Sequence, residues 1–359
     1  MSTSAPTTAM EQAESLLHLA SDSAHDAARP ATISSPSPFE WFFVISGGLA
    51  LFLPFILLIG ERELQYEQFI HWYFWLSVII GSPHVYSTYV RQHRKIQEGR
   101  SSWWLGIPSY AGIVGALTLI HHLGWFVEAI TAINVWQSFH YLRQTYGVAC
   151  LYGGQKKMDS TDRRLRWWAY HLVFPYLIIG RWDMLYDAWG GQSFNLIPMN
   201  FDESLMKFLG AFAVIGVYTQ VIAECRLIVK NGRDYRPAGL ICYAICLGIH
   251  YYGFMVLSHF HRGFEAVTFF HAMQYLALVW VLERKQRAAA GNRWIISVPN
   301  LAGFLIFWAV LFLLGYGWEQ HLTTSLQQWW LIASTILLSS ISAHHYLVDS
   351  FIWRRSVGA

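Results

Sequence analysis

From residue 41 onward, apolar residues run in stretches about as long as a bilayer-spanning helix, broken by short polar segments. Ten such stretches are predicted as helices: 41–60, 69–90, 104–123, 126–150, 167–181, 204–228, 239–258, 265–283, 298–317 and 328–351. The fifth is short, as for a tilted or partly re-entrant segment. Only a Gly124 turn signal separates the third from the fourth. The expected fold is all-α, a polytopic helical bundle of about ten spans (eight to ten once the ambiguous pair is allowed for).

Composition agrees with that pattern. Hydrophobic residues make up 54% of the 359 positions and charged residues 13%, about half the charged share of a soluble domain. With a net charge of +3, the Lys and Arg residues report topology and imply no nucleic-acid partner. They gather in RQHRK after the second stretch, GGQKKMDSTDRRLR after the fourth and CRLIVKNGRDYR closing the sixth, then in ERKQR after the eighth and WRR after the tenth. Every even-numbered helix is thus expected to end in the cytoplasm of a bacterial inner membrane, with both termini on that side. Residues 1–38, rich in Ala, Ser, Thr and Pro, lack a basic region followed by an apolar core. They read as a disordered cytoplasmic tail rather than a signal peptide, leaving residues 39–356 as one membrane domain. Cys150, Cys225, Cys242 and Cys246 fall in or beside apolar stretches and imply no disulfide framework.

The histidines stand out once depth is counted. His84 lies seven residues before Arg91, and His140 is central to NVWQSFHYLRQTYG. His271 is thirteen residues before Arg284, while His344 and His345 are ten and nine before Arg354. At about 1.5 Å per residue these positions lie within two to three turns of one height, on the even-numbered stretches. A single intramembrane histidine is most often hydrogen-bonded to a neighbouring helix. Several at one depth suit a bundle-core metal site for Fe, Zn or Cu. Thr88, Gln144, Gln274 and Asp349 sit three or four residues from these histidines, where they could orient the rings from behind. Trp136, Tyr141, Tyr251 and Phe270 are candidates to line a passage for a long apolar substrate. His171 and His250 are candidates for a supporting role, and His259 and His261 for an entrance. His71, His93, His121 and His122 read as boundary or loop residues. HxxxH and HxxHH clusters, HExxH, GxSxG and the phosphate-binding loop are all missing. Their absence gives no support to di-iron desaturase, zinc-protease, serine-hydrolase or NTPase chemistry.

SPHVYSTY, SFHYLRQ, FFHAMQYLALVW and HHYLVDSFIWR occur in that order. Together they resemble the histidine motifs of the Brp/Blh-type membrane β-carotene 15,15′-dioxygenases. The resemblance implies one mononuclear non-haem Fe2+ held by His84, His140, His271 and one of His344 and His345, with O2 and a lipid-soluble polyene or isoprenoid as co-substrates. Spacing to Asp349 in that family's pattern selects His344; anchoring on the closing FIWR selects His345. The family often carries an acid where this chain has Thr88 and Gln144, and can carry a histidine where Tyr275 stands, next to the proposed ion.

Two other classes also use intramembrane histidines. A haem-binding or quinol-linked electron-transfer protein would use them as axial ligands. A proton-coupled transporter would use them with Glu224 or Asp349, but no inverted repeat accompanies them here.

Overall fold

The computed structural model describes residues 36–49, 77–99, 101–155, 157–179, 201–256, 260–289, 291, 300–325 and 331–352. Among these residues the regular structure is entirely helical. The long helices are α1 (Ser82–Gln97), α2 (Ile107–His122), α3 (Phe126–Tyr152), α4 (Ser160–Ile179), α5 (Glu203–Asn231), α6 (Ala238–Tyr251), α7 (Phe260–Ala289), α8 (Asn300–Ser325) and α9 (Leu331–Ile352). A π-helical turn, Glu40–Ile45, precedes them, a second (Ser77–Gly81) leads into α1, and a third (Tyr252–Val256) prolongs α6. Most of the predicted tail (residues 1–35), most of the first stretch and the first part of the second lie outside the described residues.

Three helical segments among the described residues are long and apolar enough to cross a membrane: Glu203–Asp234, Ala238–Val256 and Ala266–Ala288. Asn300–Tyr316 is a shorter apolar helix. This is fewer than the ten stretches of the sequence, several of which fall partly outside the described residues. α2 has only 16 residues, less than a hydrocarbon core requires, and α1, continuous with the π-helical turn before it, is polar over much of SPHVYSTYVRQHRKIQ. α3 has 27 residues but carries Glu128, Asn134, Gln137, His140, Arg143 and Gln144 along its length.

α5 is apolar on the outside. Val229 is 85% exposed, Phe208 58% and Ile222 53%, the reverse of a helix on a water-soluble protein. The outer face of α8 does the same with Leu305, Ile306, Val310 and Leu313. α7 is the opposite case. Described side chains from Ala266 through Val281 are buried on every side apart from a half-buried Thr268, as a helix apolar all round demands. It packs on α1 and α3, and α9 packs on the same two, so α1, α7, α3 and α9 close a ring. α8 covers α1, α2 covers α9, α6 covers α3, and α4 and α5 lie along each other.

Local chemistry explains the joints. Gly124, at φ +80°, supplies the turn between α2 and α3 in a conformation that side chains with a Cβ rarely adopt. Pro83 sits in the first turn of α1 and has no N–H to donate to the carbonyl of Ile79. The chain there is π-helical, and the Trp308 indole of α8 donates to that carbonyl at 2.7 Å. The end of α3 meets the start of α6 at Gly153 and Gly239. A Cβ on Gly153 would lie 2.8 Å from the Gly239 Cα and 2.7 Å from the Arg166 guanidinium. That guanidinium is buried, donating to the Gly153 carbonyl at 2.8 Å and pairing with Glu224 at 2.6 and 2.9 Å. Tyr235 and Gln220 donate to the same carboxylate, so the buried pair is held by neighbours on both sides. At the start of α4, Asp159 lies beside the Lys230 ammonium, which holds the Asp159 carboxyl below its usual range. Arg91 and Arg94 bracket Glu283 where α1 and α7 end together.

Candidate metal centre

Each helix of the ring contributes one histidine to its interior: His84 from α1, His140 from α3, His271 from α7 and His345 from α9. One ligand atom from each lies within 4.8 Å of all the others. Their contacts follow the helix contacts. His84 meets His271 and His345 with ring centroids 4.6 and 4.5 Å apart, and His140 meets the same two at 4.9 and 5.1 Å. The Nε2 atoms of His84 and His271 are 3.1 Å apart. All four residues are buried, none more than 8% exposed. Among the described residues this is the one group of three or more His, Cys, Asp or Glu side chains close enough to share an ion.

The nitrogens make a cation fit. His84 Nδ1, His140 Nε2, His271 Nδ1 and both ring nitrogens of His345 are buried without a hydrogen-bond partner. Each such atom costs about 1–3 kcal/mol if left unsatisfied. Neutral imidazoles converging in a dry bundle core are good donors to a divalent first-row metal, and a shared ion removes part of that cost. The structure therefore supports a metal-binding group and leaves the identity of the ion open.

α9 resolves its adjacent histidines. His345 enters the quartet, whereas His344 turns about one hundred degrees away and packs between α1 and α2. Its Nδ1 lies 3.0 Å from the Tyr89 hydroxyl, and its Nε2 lies 3.0 Å from the Leu105 carbonyl and 2.9 Å from Ser109 Oγ. The preference for His344 drawn from the spacing to Asp349 is thus corrected: both of its nitrogens are engaged elsewhere, and Tyr89 stacks on its ring.

Asp349 is one turn below His345 and buried. Its Oδ1 accepts from the Tyr275 hydroxyl at 2.6 Å and from Thr88 Oγ1 at 3.0 Å. Its Oδ2 faces the quartet, 3.5 Å from His140 Nε2 and 3.9 Å from His345 Nε2. Thr88 and Tyr275 therefore act on the carboxylate, and the Tyr275 ring also meets His84 edge-on at 4.6 Å.

The two glutamines expected behind the rings do something else. Gln144 donates to the backbone carbonyl of His271 at 2.9 Å, tying α3 to α7. Gln274 accepts from Thr145 at 3.1 Å and donates towards Cys242 Sγ at 3.7 Å, on the side facing α3 and α6. Neither reaches an imidazole nitrogen, because spacing along one helix cannot say which neighbour the side chain meets.

The aromatic expectations divide in the same way. Tyr141 lies over His271, centroids 4.1 Å apart, its hydroxyl 3.1 Å from Thr268 Oγ1. Trp136 is one ring further out, edge-on to Tyr346 at 5.9 Å. Tyr251 is 53% exposed, and Phe270 turns towards Gly47 in the N-terminal turn, so these two do not line the quartet. Tyr346, not singled out in the sequence, lies over His140 at 4.8 Å. Its position next to His345 was the one available signal.

His250 bonds the Cys246 carbonyl at 2.8 Å, and His171 bonds the Trp167 carbonyl at 2.7 Å while stacking on Trp167. His93 pairs with Gln97, and His121 with His122. His71 and His259 lie outside the described residues, as does the side chain of His261. Comparison with family models, with curated proteins and with solved structures gives no match.

Proposed function

We propose that this chain is an integral-membrane, mononuclear non-haem iron oxygenase that uses O2 on a lipid-soluble polyene or isoprenoid substrate. The observation that carries the reading is the buried quartet of His84, His140, His271 and His345, whose ligand atoms lie within 4.8 Å of one another. Four nitrogen donors around one point suit a single ion. The motif resemblance to Brp/Blh-type dioxygenases supplies iron, O2 and the substrate class. The reading extends to about ten spans, from the apolar stretches of the sequence, and to a bacterial inner membrane with cytoplasmic termini, the orientation coming from the loop charges.

When bound there, Fe2+ would bind and activate O2 beside a carbon–carbon double bond, the electrons that reduce O2 coming from that bond as it is cleaved to two carbonyls and the iron being regenerated. The chain's own residues set the stage. The four histidines come from four helices locked in a ring, so their nitrogens are fixed before any ion arrives. Gln144 holds the α7 backbone at the His271 position. Tyr141 and Tyr346 lay aromatic faces over His271 and His140, a dry wall that excludes water and favours an apolar partner. The exposed apolar outer faces of α5 and α8 suit a chain surrounded by lipid, the medium in which such a substrate dissolves.

The haem alternative meets a steric objection. Any two opposed histidines that served as axial ligands would have the other two, 4.5–5.1 Å away ring to ring, standing where the porphyrin must lie. A membrane host that accumulates coloured carotenoids tests the substrate class. Expression of this chain should bleach the colour in an O2-dependent way and yield a carbonyl-containing cleavage product, and His271→Ala should not. Iron-loaded protein that leaves carotenoids and isoprenoids unchanged under O2 would remove that substrate class.

A further inference from the structure

Among the described residues Asp349 is the one carboxylate that meets the quartet, and its geometry differs from that of a group that merely orients a histidine. An orienting carboxylate accepts an imidazole N–H at about 2.7–2.9 Å. Asp349 Oδ2 stands at 3.5 and 3.9 Å from two imidazole nitrogens at once, His140 Nε2 and His345 Nε2. Those separations are too long for good hydrogen bonds. With metal–nitrogen and metal–oxygen bonds of about 2.0–2.2 Å, the edges between neighbouring ligand atoms on one ion measure roughly 3.0–3.6 Å. The 3.5 Å separation from His140 falls in that range and the 3.9 Å one from His345 exceeds it by a few tenths.

The other oxygen explains why Oδ2 points inward. Tyr275 and Thr88 both donate to Oδ1, from α7, which lies across the ring from α9, and from α1, which packs on α9 directly. The carboxylate is clamped by its outer oxygen and presents the inner one. Charge favours the same arrangement: a divalent ion among four neutral imidazoles and a carboxylate in a buried bundle core are each costly alone. Placed in contact, each offsets the other's desolvation.

We propose that Asp349 is a fifth ligand, binding the ion through Oδ2 on the His140–His345 side, with Tyr275 and Thr88 as the residues that position it. The proposal rests on the quartet holding a metal ion and does not depend on which divalent metal it is. The site is then four histidines and one carboxylate, with a single remaining position for an exogenous molecule.

Cobalt(II)-loaded full-length protein in detergent tests this without any turnover assay. Visible ligand-field absorption separates four-coordinate cobalt, which absorbs strongly, from five-coordinate cobalt, which absorbs more weakly at shifted energies. Wild type should give the weaker five-coordinate spectrum. Asp349→Asn should shift it towards the four-coordinate form and weaken cobalt affinity by at least about tenfold. Tyr275→Phe, which keeps the carboxylate and removes one clamp, should keep the five-coordinate spectrum with a smaller loss of affinity. A strong four-coordinate spectrum in wild type overturns the proposal on its own, even if Asp349→Asn fails to fold, and so does an unchanged spectrum in a folded Asp349→Asn. Either result leaves the four-histidine centre standing. Protein that binds no cobalt, zinc or iron overturns both the proposal and the metal reading beneath it.

Discussion

Replacing each of two adjacent histidines separates a ligand from a structural contact. His345→Ala removes one of four imidazoles from the quartet. Four-ligand protein sites bind divalent zinc with about 10–16 kcal/mol, so one ligand in four carries about 2.5–4 kcal/mol. That corresponds to roughly two to three orders of magnitude in affinity. His344→Ala touches the ion not at all. It removes the contacts to Tyr89, Ser109 and the Leu105 carbonyl and leaves buried polar groups unmatched, at a cost of about 1–3 kcal/mol in stability. The assay is metal content by mass spectrometry after purification in detergent, paired with thermal unfolding of the same samples. The expected pattern crosses over: His345→Ala purifies without its ion, while His344→Ala keeps the ion and melts at lower temperature. Loss of the ion from His344→Ala with retention in His345→Ala would refute the assignment of His345 to the quartet.

The packing gives three further expectations. Trp308→Phe should destabilise the fold by about 1–3 kcal/mol, seen as a lower melting temperature, because it strips the Ile79 carbonyl of the donor that stands in for Pro83. Gly153→Ala should cost about 1–3 kcal/mol by forcing α3 and α6 apart, whereas Gly147→Ala, with open space around it, should be neutral or stabilising by up to about 1 kcal/mol. Glu224→Ala strands the buried Arg166 guanidinium and should cost about 3–5 kcal/mol, read as loss of a monodisperse peak on size exclusion; Arg166→Met with Glu224→Leu should recover much of it.

How much of this was legible in the sequence depends on the kind of signal. Helical class and the depth of His84, His140 and His271 follow from residue counts to the basic helix ends, because helix rise per residue is nearly constant. Choosing between His344 and His345 needed only the rule that residues four apart share a face: His345 and Asp349 do, and spacing borrowed from a family pattern pointed to the wrong neighbour. The partners of Gln144 and Gln274 were not legible, since helix spacing fixes a direction and says nothing of the helix that lies there. Arg166 and Glu224, 58 residues apart, form their pair only through the packing of α4 on α5. The apolar stretches outnumber the three long, apolar helices among the described residues in part because α3 carries His140, Gln144 and other polar residues along its length, which lowers its hydropathy without removing it from the bundle.

The central claim is most directly tested by metal analysis of the purified, full-length protein together with its optical spectrum. The account predicts about one iron per chain, no Soret band, and loss of that iron in each of His84→Ala, His140→Ala, His271→Ala and His345→Ala. A Soret band, or protein that binds no divalent metal while remaining folded, would contradict it.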